Sequence, residues 1–154
     1  MALSGVVVVT GAASGIGRAT AEYLATQGAI VVGADVNGEK LATLNGPRLH
    51  TIVADLTRFD DCRKVAEFAA GIGPIKGLFN CAGLELHGSV VEMSEADWDL
   101  VMGVNLKAIF LLSKHIIPHL VANGGGAVVN MSSIHAHNTS ASVAAYAATK
   151  GAVI

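Results

Sequence analysis

Short apolar runs alternate along the chain with longer segments whose apolar residues recur at helical spacing. The short runs are rich in β-branched residues and predict strands at Val6–Val9, Ile30–Ala34, Thr51–Ala54, Gly77–Phe79 and Ala127–Met131. The longer segments predict helices at Gly15–Gln27, Asp60–Ala69 and Glu95–Ala122. Parallel strands need crossover helices, which cover both sheet faces and leave the strands uniformly apolar. The pattern therefore predicts an α/β fold, a doubly wound parallel sheet, with residues 1–154 forming a single domain.

The composition favours a small-molecule partner. Hydrophobic residues make up 52% of the chain and charged residues only 14%, as expected for strands covered on both faces. The net charge is −2 and the basic residues are scattered, so we expect no nucleic acid and no membrane as partner. The first apolar run ends at Thr10-Gly11, too early for a signal peptide or a membrane span, and a cytoplasmic location is expected. Cys62 and Cys81 have no zinc or redox spacing and are interpreted as reduced thiols.

A glycine-rich turn joins the first strand to the first helix. It reads Thr10-Gly11-Ala12-Ala13-Ser14-Gly15-Ile16-Gly17 and has the strand before it and the helix after it that a dinucleotide site requires. Glycines permit the tight turn and bring a pyrophosphate close to bare backbone, while the N–H groups and dipole of the new helix attract the anion. The turn therefore predicts a dinucleotide-binding site on a sheet of the Rossmann type.

An acidic residue closes the second predicted strand. Asp35 follows Gly17 by 18 residues, close to the offset of a carboxylate that accepts hydrogen bonds from the adenosine ribose. It would repel a 2′-phosphate, and Ser14 stands where a basic residue would help to bind one, so NAD is favoured over NADP. The alternative is that Asp35 caps a helix over Asn37–Leu44; Asp55, after the third strand, could likewise be a cap.

Tyr146 and Lys150 are four residues apart in a helix-like stretch, so both project from one helix face. A lysine ammonium near a phenol favours the phenolate, which enables the tyrosine to act as a general acid or base. Such a pair is common, and by itself it is weak evidence of catalysis.

Five motifs in order make the case stronger. Together with the glycine-rich turn, Asn80-Cys81-Ala82-Gly83, Asn105, Ser133 and Tyr146-xxx-Lys150 resemble the short-chain dehydrogenase/reductase family in order and spacing. Ser133 lies 13 residues before Tyr146, which is the separation found in the family. The chain departs from the family at Cys81, where asparagine is more usual.

The resemblance implies an NAD-dependent oxidoreductase that interconverts secondary alcohols and ketones, such as sugars or hydroxy acids. Tyr146 would exchange a proton with the substrate oxygen. Lys150 would lower the pKa of Tyr146 and bind the nicotinamide ribose. Ser133 would orient the substrate oxygen, and Asn105 would support a proton relay through water. The cofactor site would comprise Gly11, Ser14, Gly15, Ile16, Gly17, Asp35, Asp55, Leu56, Asn80, Ala82, Gly83, Tyr146 and Lys150.

The remaining expectations concern His135, metals and assembly. His135 follows Ser133 by two residues and is predicted to face the substrate and bond a polar substituent. Neither His115-xxx-His119 nor His135-Ala136-His137 has a nearby carboxylate or a third ligand in sequence, so no metal is expected. Family members form subunit contacts through the long apolar helix and the helix of Tyr146, which implies a homodimer or homotetramer.

Family members also continue past residue 154, so we expect the C-terminal strands of the domain to be missing and the domain to be truncated. Two alternatives therefore stay open. One is a nucleotide-binding module without turnover, because the nicotinamide end is only half enclosed. The other is a regulatory or interaction protein on the same fold, which would pair through an exposed sheet edge.

Overall fold

The computed structural model describes residues 4–154. Within them, strands lie at Val6–Thr10 (β1), Ile30–Asp35 (β2), Leu49–Val53 (β3), Ile75–Asn80 (β4) and Ala127–Asn130 (β5). The α-helices are Gly15–Thr26 (α1), Gly38–Leu41 (α2), Phe59–Ile72 (α3), Glu95–Met102 (α4), Ala108–Ala122 (α5) and Ala144–Val153 (α6). A π-helical turn, Gly103–Lys107, joins α4 to α5, and a short 3-10 helix, Ile134–Ala136, follows β5.

The strands form one parallel sheet in the order β3-β2-β1-β4-β5. The predicted doubly wound α/β fold is confirmed. The chain leaves β1 in one direction through β2 and β3, then returns past β1 to add β4 and β5 on the other side. In such sheets ligands bind beyond the carboxyl ends of the strands, where the strand order reverses. That point lies between β1 and β4.

Each sheet face carries its own apolar core. On one face, α1 and α2 pack through Ala21 and Leu41 against Val9 and Val31 of the sheet. On the other face, α3 and α5 bury a larger cluster on the opposite side chains of the same strands. Because side chains alternate along a strand, burial of both faces requires apolar residues at nearly every position, as the sequence pattern indicated.

The strand boundaries differ by a few residues from those predicted. β3 begins at Leu49 rather than Thr51, since pairing with β2 places Leu49 opposite Val31. β4 begins at Ile75 rather than Gly77, because Ile75 is fully buried and pairs with Val6 despite the polar Lys76 beside it. Ladder pairing with a neighbouring strand thus extends both strands beyond their most apolar residues.

The segment Glu95–Ala122 is helical throughout, but its α-helical geometry is interrupted by the π turn Gly103–Lys107. By length and composition alone the segment could cross a membrane, with a mean hydropathy of 1.5. Its α5 part buries Leu111, Leu112 and Ile116 in the core of the sheet. Core packing therefore accounts for part of the hydrophobic character of this segment, of whose most apolar window 33% is buried.

Candidate active site

The glycine-rich turn between β1 and α1 is packed too tightly for side chains at two of its glycines. Gly11 has a φ of +68°, and a Cβ there would lie 3.0 Å from the α-carbon of Ala82. A Cβ on Gly17 would lie 2.2 Å from the carbonyl oxygen of Gly11, which is closer than any real contact. Glycine at these positions lets α1 start directly against the end of β1.

Thr10 holds the loop after β4 against this turn. Its buried Oγ1 accepts hydrogen bonds from the backbone N–H groups of Cys81 and Ala82, each at 2.9 Å. The two loops that follow the central strands are thereby joined at the carboxyl edge of the sheet. This edge is the switch point at which the topology predicts a ligand.

A cleft of about 770 Å³ opens at this edge, within the size range of small-molecule sites. Most of the residues predicted for the cofactor line it together: Gly11, Ser14, Gly15, Ile16, Gly17, Asp35, Asp55, Leu56, Ala82, Gly83, Tyr146 and Lys150. Sequence reasoning did not assign several other lining residues, namely Val36, Ala54, Thr57, Cys81, Leu84, Glu85, Leu100, Val104 and Met131.

Asp35 is tied to the glycine-rich turn rather than to a helix. Its Oδ2 accepts from the N–H of Ala13 at 3.0 Å and its Oδ1 from the N–H of Asn37 at 2.9 Å. The cap of α2 is Asn37, whose side chain accepts from the N–H of Lys40. The alternative that Asp35 caps this helix is wrong, and its carboxylate is instead fixed at the rim of the cleft.

Asp55 makes a local turn beside α3. Its Oδ1 accepts from the N–H and the hydroxyl of Thr57, at 3.0 and 2.7 Å. The residue that precedes α3 is Arg58, whose side chain makes no capping bond. The carboxylate of Asp55 therefore organises the loop after β3 that forms one wall of the cleft.

Tyr146 and Lys150 lie one helical turn apart on α6 and both reach the cleft. The Lys150 ammonium donates to the carbonyl of Met131 at 2.7 Å and lies 5.4 Å from the centre of the Tyr146 ring. The side chain is almost fully buried, and this burial lowers the pKa of Lys150. A single fixed positive charge therefore stands beside the phenol in a largely apolar cleft.

Cys81 shares this environment. Burial raises the pKa of its thiol, and the Lys150 charge opposes that shift. The thiol therefore favours its neutral form, which matches the interpretation of this residue as reduced and unreactive.

Asn105 lies on the π turn and is fully buried, outside the cleft. Its Oδ1 accepts from the N–H of Leu84 at 2.7 Å, and its Nδ2 donates to the carbonyl of Leu84 at 2.9 Å. Nδ2 also donates to the Thr149 hydroxyl at 3.1 Å. Asn105 thus connects the loop after β4 to the helix that carries Tyr146 and Lys150.

Ser133, His135 and Asn80 were predicted at the site, but they do not line the cleft. The Ser133 hydroxyl caps the short 3-10 helix by accepting from the N–H of His135 at 3.3 Å. The His135 ring stands edge-on to the Tyr146 ring, with centroids 5.8 Å apart. Asn80 is buried behind the cleft and donates to the Asn130 side chain at 2.8 Å, bridging β4 and β5.

Residues 4–154 hold no group of three or more histidine, cysteine, aspartate or glutamate side chains that could bind a metal ion. The cleft combines a glycine-rich turn, a fixed carboxylate and a tyrosine–lysine pair.

A family model described as short chain dehydrogenase matches residues 5–154. The chain belongs to this family. It is 40% identical over 151 residues to "Dehydrogenase/reductase SDR family member 6" of Rattus norvegicus, covering 97% of this chain and 60% of that protein. It is 35% identical over 156 residues to the 3-oxoacyl-(acyl-carrier-protein) reductase FabG of Thermotoga maritima, covering 97% and 63% of the two chains. The resemblance seen in the sequence motifs is confirmed.

Solved structures of the family superpose closely. A gluconate 5-dehydrogenase from Burkholderia cenocepacia, in complex with NADP and tartrate, has a TM-score of 0.90 at 34% identity, with 99% of this chain and 63% of that chain covered. A short chain dehydrogenase/reductase from Burkholderia phymatum, in complex with NAD, has a TM-score of 0.93 at 32% identity, with 97% and 56% covered. The chain therefore spans about three fifths of the length of these short chain dehydrogenases.

Proposed function

We propose that this short chain dehydrogenase is an oxidoreductase that interconverts secondary alcohols and ketones with NAD(H). The observation that carries the proposal is that Tyr146 and Lys150 line the same cleft as the glycine-rich turn. A tyrosine and lysine pair elsewhere on the surface would have no such meaning, because pairs at this spacing are common on helices.

The cleft fits a dinucleotide. The Ser14 side chain makes no capping bond to α1, so the first N–H groups of that helix stay available to an anion. Gly11 and Gly17 keep this region free of side chains, and the Asp35 carboxylate can accept from ribose hydroxyls. NAD, when bound, would accept the hydride that leaves the carbon bearing the substrate hydroxyl.

The side chains of α6 handle the proton. In the oxidation, the hydroxyl proton of the substrate goes to the Tyr146 oxygen while the carbon–hydrogen bond breaks and the carbonyl forms. The Lys150 ammonium, held by the Met131 carbonyl, places a positive charge 5.4 Å from the centre of the Tyr146 ring, where it offsets negative charge that develops during the proton transfer. The reverse reduction returns the same proton from Tyr146 to the carbonyl oxygen.

Three further side chains support this step in the proposal. Ser133 lies two residues after Met131 of the cleft wall, and we propose that its hydroxyl bonds the substrate oxygen although it does not line the cleft. Asn105 is proposed to support proton exchange with solvent besides holding Leu84 in position. His135 bonds a polar substituent of the substrate, since its ring stands against Tyr146. Replacement of His135 by alanine is expected to raise KM with little change in kcat.

Substitution of Tyr146 tests the reaction. In a protein of full family length, Tyr146→Phe is expected to lower kcat by about 100-fold or more while NADH binding changes less than about threefold. Tyr23→Phe makes the same change on an exposed tyrosine of α1 and should leave both quantities unaltered. A Tyr146→Phe protein that keeps more than about a tenth of the rate would refute the assignment. Absence of turnover in the unmodified protein would favour a nucleotide-binding module.

NAD is the cofactor we propose over NADP. Within the cleft lining, Lys150 is the one cation, and Asp35, Val36 and Ser14 offer no positive charge to a 2′-phosphate. Arg18 does not line the cleft; its guanidinium bonds Glu22 and the Thr43 hydroxyl.

Asp35→Asn tests this preference because it removes the charge and keeps the shape of the side chain. Calorimetry should show that NADH binds more tightly than NADPH. Asp35→Asn should lower the ratio of the NADPH to the NADH dissociation constant by about tenfold. Asp60→Asn on the exposed start of α3 is the matched control. Equal binding of both dinucleotides by the unmodified protein would overturn the proposal.

We also propose that the protein forms homo-oligomers through the outer face of α4 and α5. Leu100, Phe110, Ile117 and Val121 are between 45% and 71% exposed on this face, beside a groove of about 1080 Å³. Exposed apolar surface of this kind commonly marks a protein interface. Sedimentation velocity should show a dimer or larger species that Phe110→Glu dissociates, whereas Phe68→Glu on α3 does not.

A further inference from the structure

The wall of the cleft holds a carboxylate that the proposed reaction does not use. Glu85 lines the cleft together with Tyr146 and Lys150. It lies on the loop after β4, two residues beyond Gly83, and its side chain is 37% exposed. A charged group in the same cleft as the reacting residues acts on every substrate that enters it.

The position of Glu85 is well defined because its neighbour is clamped. Both backbone polar groups of Leu84 are bonded by the buried Asn105. A Cβ on Gly83 would lie 3.8 Å from the Lys150 ammonium, and two residues span at most about 7 Å. The Glu85 carboxylate therefore begins from an anchored backbone close to the reacting end of the cleft.

The charge of Glu85 is only weakly compensated. Within residues 4–154 its one polar partner is Nε2 of His87 at 3.2 Å, an imidazole that is 74% exposed and positive only when protonated. The other two carboxylates of the cleft are engaged by backbone N–H groups, those of Ala13 and Asn37 for Asp35 and that of Thr57 for Asp55. Glu85 therefore presents free acceptor oxygens and negative charge to the substrate.

We propose that Glu85 is a specificity residue that selects uncharged, hydroxyl-bearing substrates and rejects carboxylates. A second hydroxyl of a diol, polyol or sugar donates a hydrogen bond to its carboxylate. A hydroxy acid places a like charge there instead and is repelled. The inference rests on the proposed function, and it narrows the substrate class from sugars or hydroxy acids to neutral polyhydroxy compounds.

Matched pairs of probes, one neutral and one anionic, provide the test. Propane-1,2-diol is compared with lactate, and butane-1,3-diol with 3-hydroxybutyrate, because each pair exchanges CH2OH for a carboxylate. In a protein of full family length, kcat/KM is measured for both members of each pair. Binding of the same probes to the enzyme–NADH complex is measured by calorimetry, which requires no turnover.

We expect the unmodified protein to prefer the diol of at least one pair, and Glu85→Gln to shift the diol-to-acid ratio towards the acid by about tenfold or more. Glu67→Gln removes the same charge on the outer side of α3, where Glu67 pairs with Arg63, and should leave the ratio unchanged. Equal ratios in the unmodified and Glu85→Gln proteins, or a preference for the acids, would overturn the inference. So would a failure of the enzyme–NADH complex to bind either diol.

Failure of the proposed function is recognised separately. It would appear as absence of hydride transfer with every alcohol and no effect of Tyr146→Phe. A Glu85→Gln protein that turns over both classes as the unmodified enzyme does would instead refute the specificity role alone.

Discussion

Replacement of Gly17 by alanine is the sharpest test of how the glycine-rich turn is built. The added Cβ would lie 2.2 Å from the carbonyl oxygen of Gly11, 2.7 Å from its carbonyl carbon and 2.9 Å from the carbonyl oxygen of Thr10. All three contacts are with backbone atoms, so no side-chain rotation relieves them. Either α1 or the turn itself must move.

The size of the effect follows from two opposing contributions. Real Cβ contacts stay beyond 3.0 Å, so the closest pair must separate by about 0.8 Å, and overpacking of this kind destabilises by about 1–3 kcal/mol, occasionally more. Alanine within a helix stabilises by about 0.5–1 kcal/mol relative to glycine. Together these contributions predict that Gly17→Ala lowers the free energy of unfolding by about 1–2 kcal/mol.

Urea unfolding followed by circular dichroism measures this change, and NADH titration measures the damage to the turn. Gly71→Ala is the matched control, because a Cβ at Gly71 in α3 meets nothing within 4 Å. It should stabilise by about 0.5 kcal/mol and leave binding unchanged. The close approach of α1 to the turn would be refuted if the free energy of unfolding of Gly17→Ala lay within about 0.5 kcal/mol of that of the unmodified protein and its affinity for NADH were unchanged.

Further predictions concern buried polar groups. Asn105→Ala should destabilise by about 3 kcal/mol in urea unfolding, because it removes bonds to both backbone groups of Leu84 and to the Thr149 hydroxyl. Thr10→Val should lower the free energy of unfolding by about 2 kcal/mol, since it leaves two loop N–H groups unpaired. A change in either variant no larger than that of Asn45→Ala, at an exposed asparagine, would contradict this. Burial raises the pKa of the Cys62 thiol from 9.0 to about 11. Ionisation of this thiol therefore favours the unfolded chain, so the stability that the buried neutral thiol provides is complete below about pH 9 and is lost as the pH rises to about 11. Cys62 should accordingly resist thiol reagents at about pH 8 until urea unfolds the chain, and rapid labelling of the native protein would disprove its burial.

The apolar pattern determined the central part of this fold. β1 and β2 begin where they were predicted, at Val6 and Ile30, and each ends one residue later. Strands buried on both faces leave an uninterrupted apolar run, which is recognisable without knowledge of any partner. The glycine-rich turn and the spacing of Tyr146 and Lys150 were likewise readable, because each depends on residues that are close in sequence.

Element ends and helix geometry depended on contacts that are distant in sequence. Leu49 joins β3 because β2 pairs with it, and the π turn at Gly103–Lys107 carries the Asn105 side chain that clamps Leu84. The sequence pattern predicted one continuous helix there. Neither the ladder partner nor the clamp has a local signal, so both required the tertiary structure.

The candidate site shows the same division. Sequence motifs identified the glycine turn, Asp35 and the tyrosine–lysine pair, and the structure gathers them in one cleft. The structure alone decided that Asp35 bonds Ala13 instead of capping a helix, and that Glu85 reaches the cleft. A local motif reports which residues are present, whereas the direction of a side chain depends on the path of the loop that carries it. That path is set by packing between segments far apart in the chain, here by Asn105 holding the backbone of Leu84.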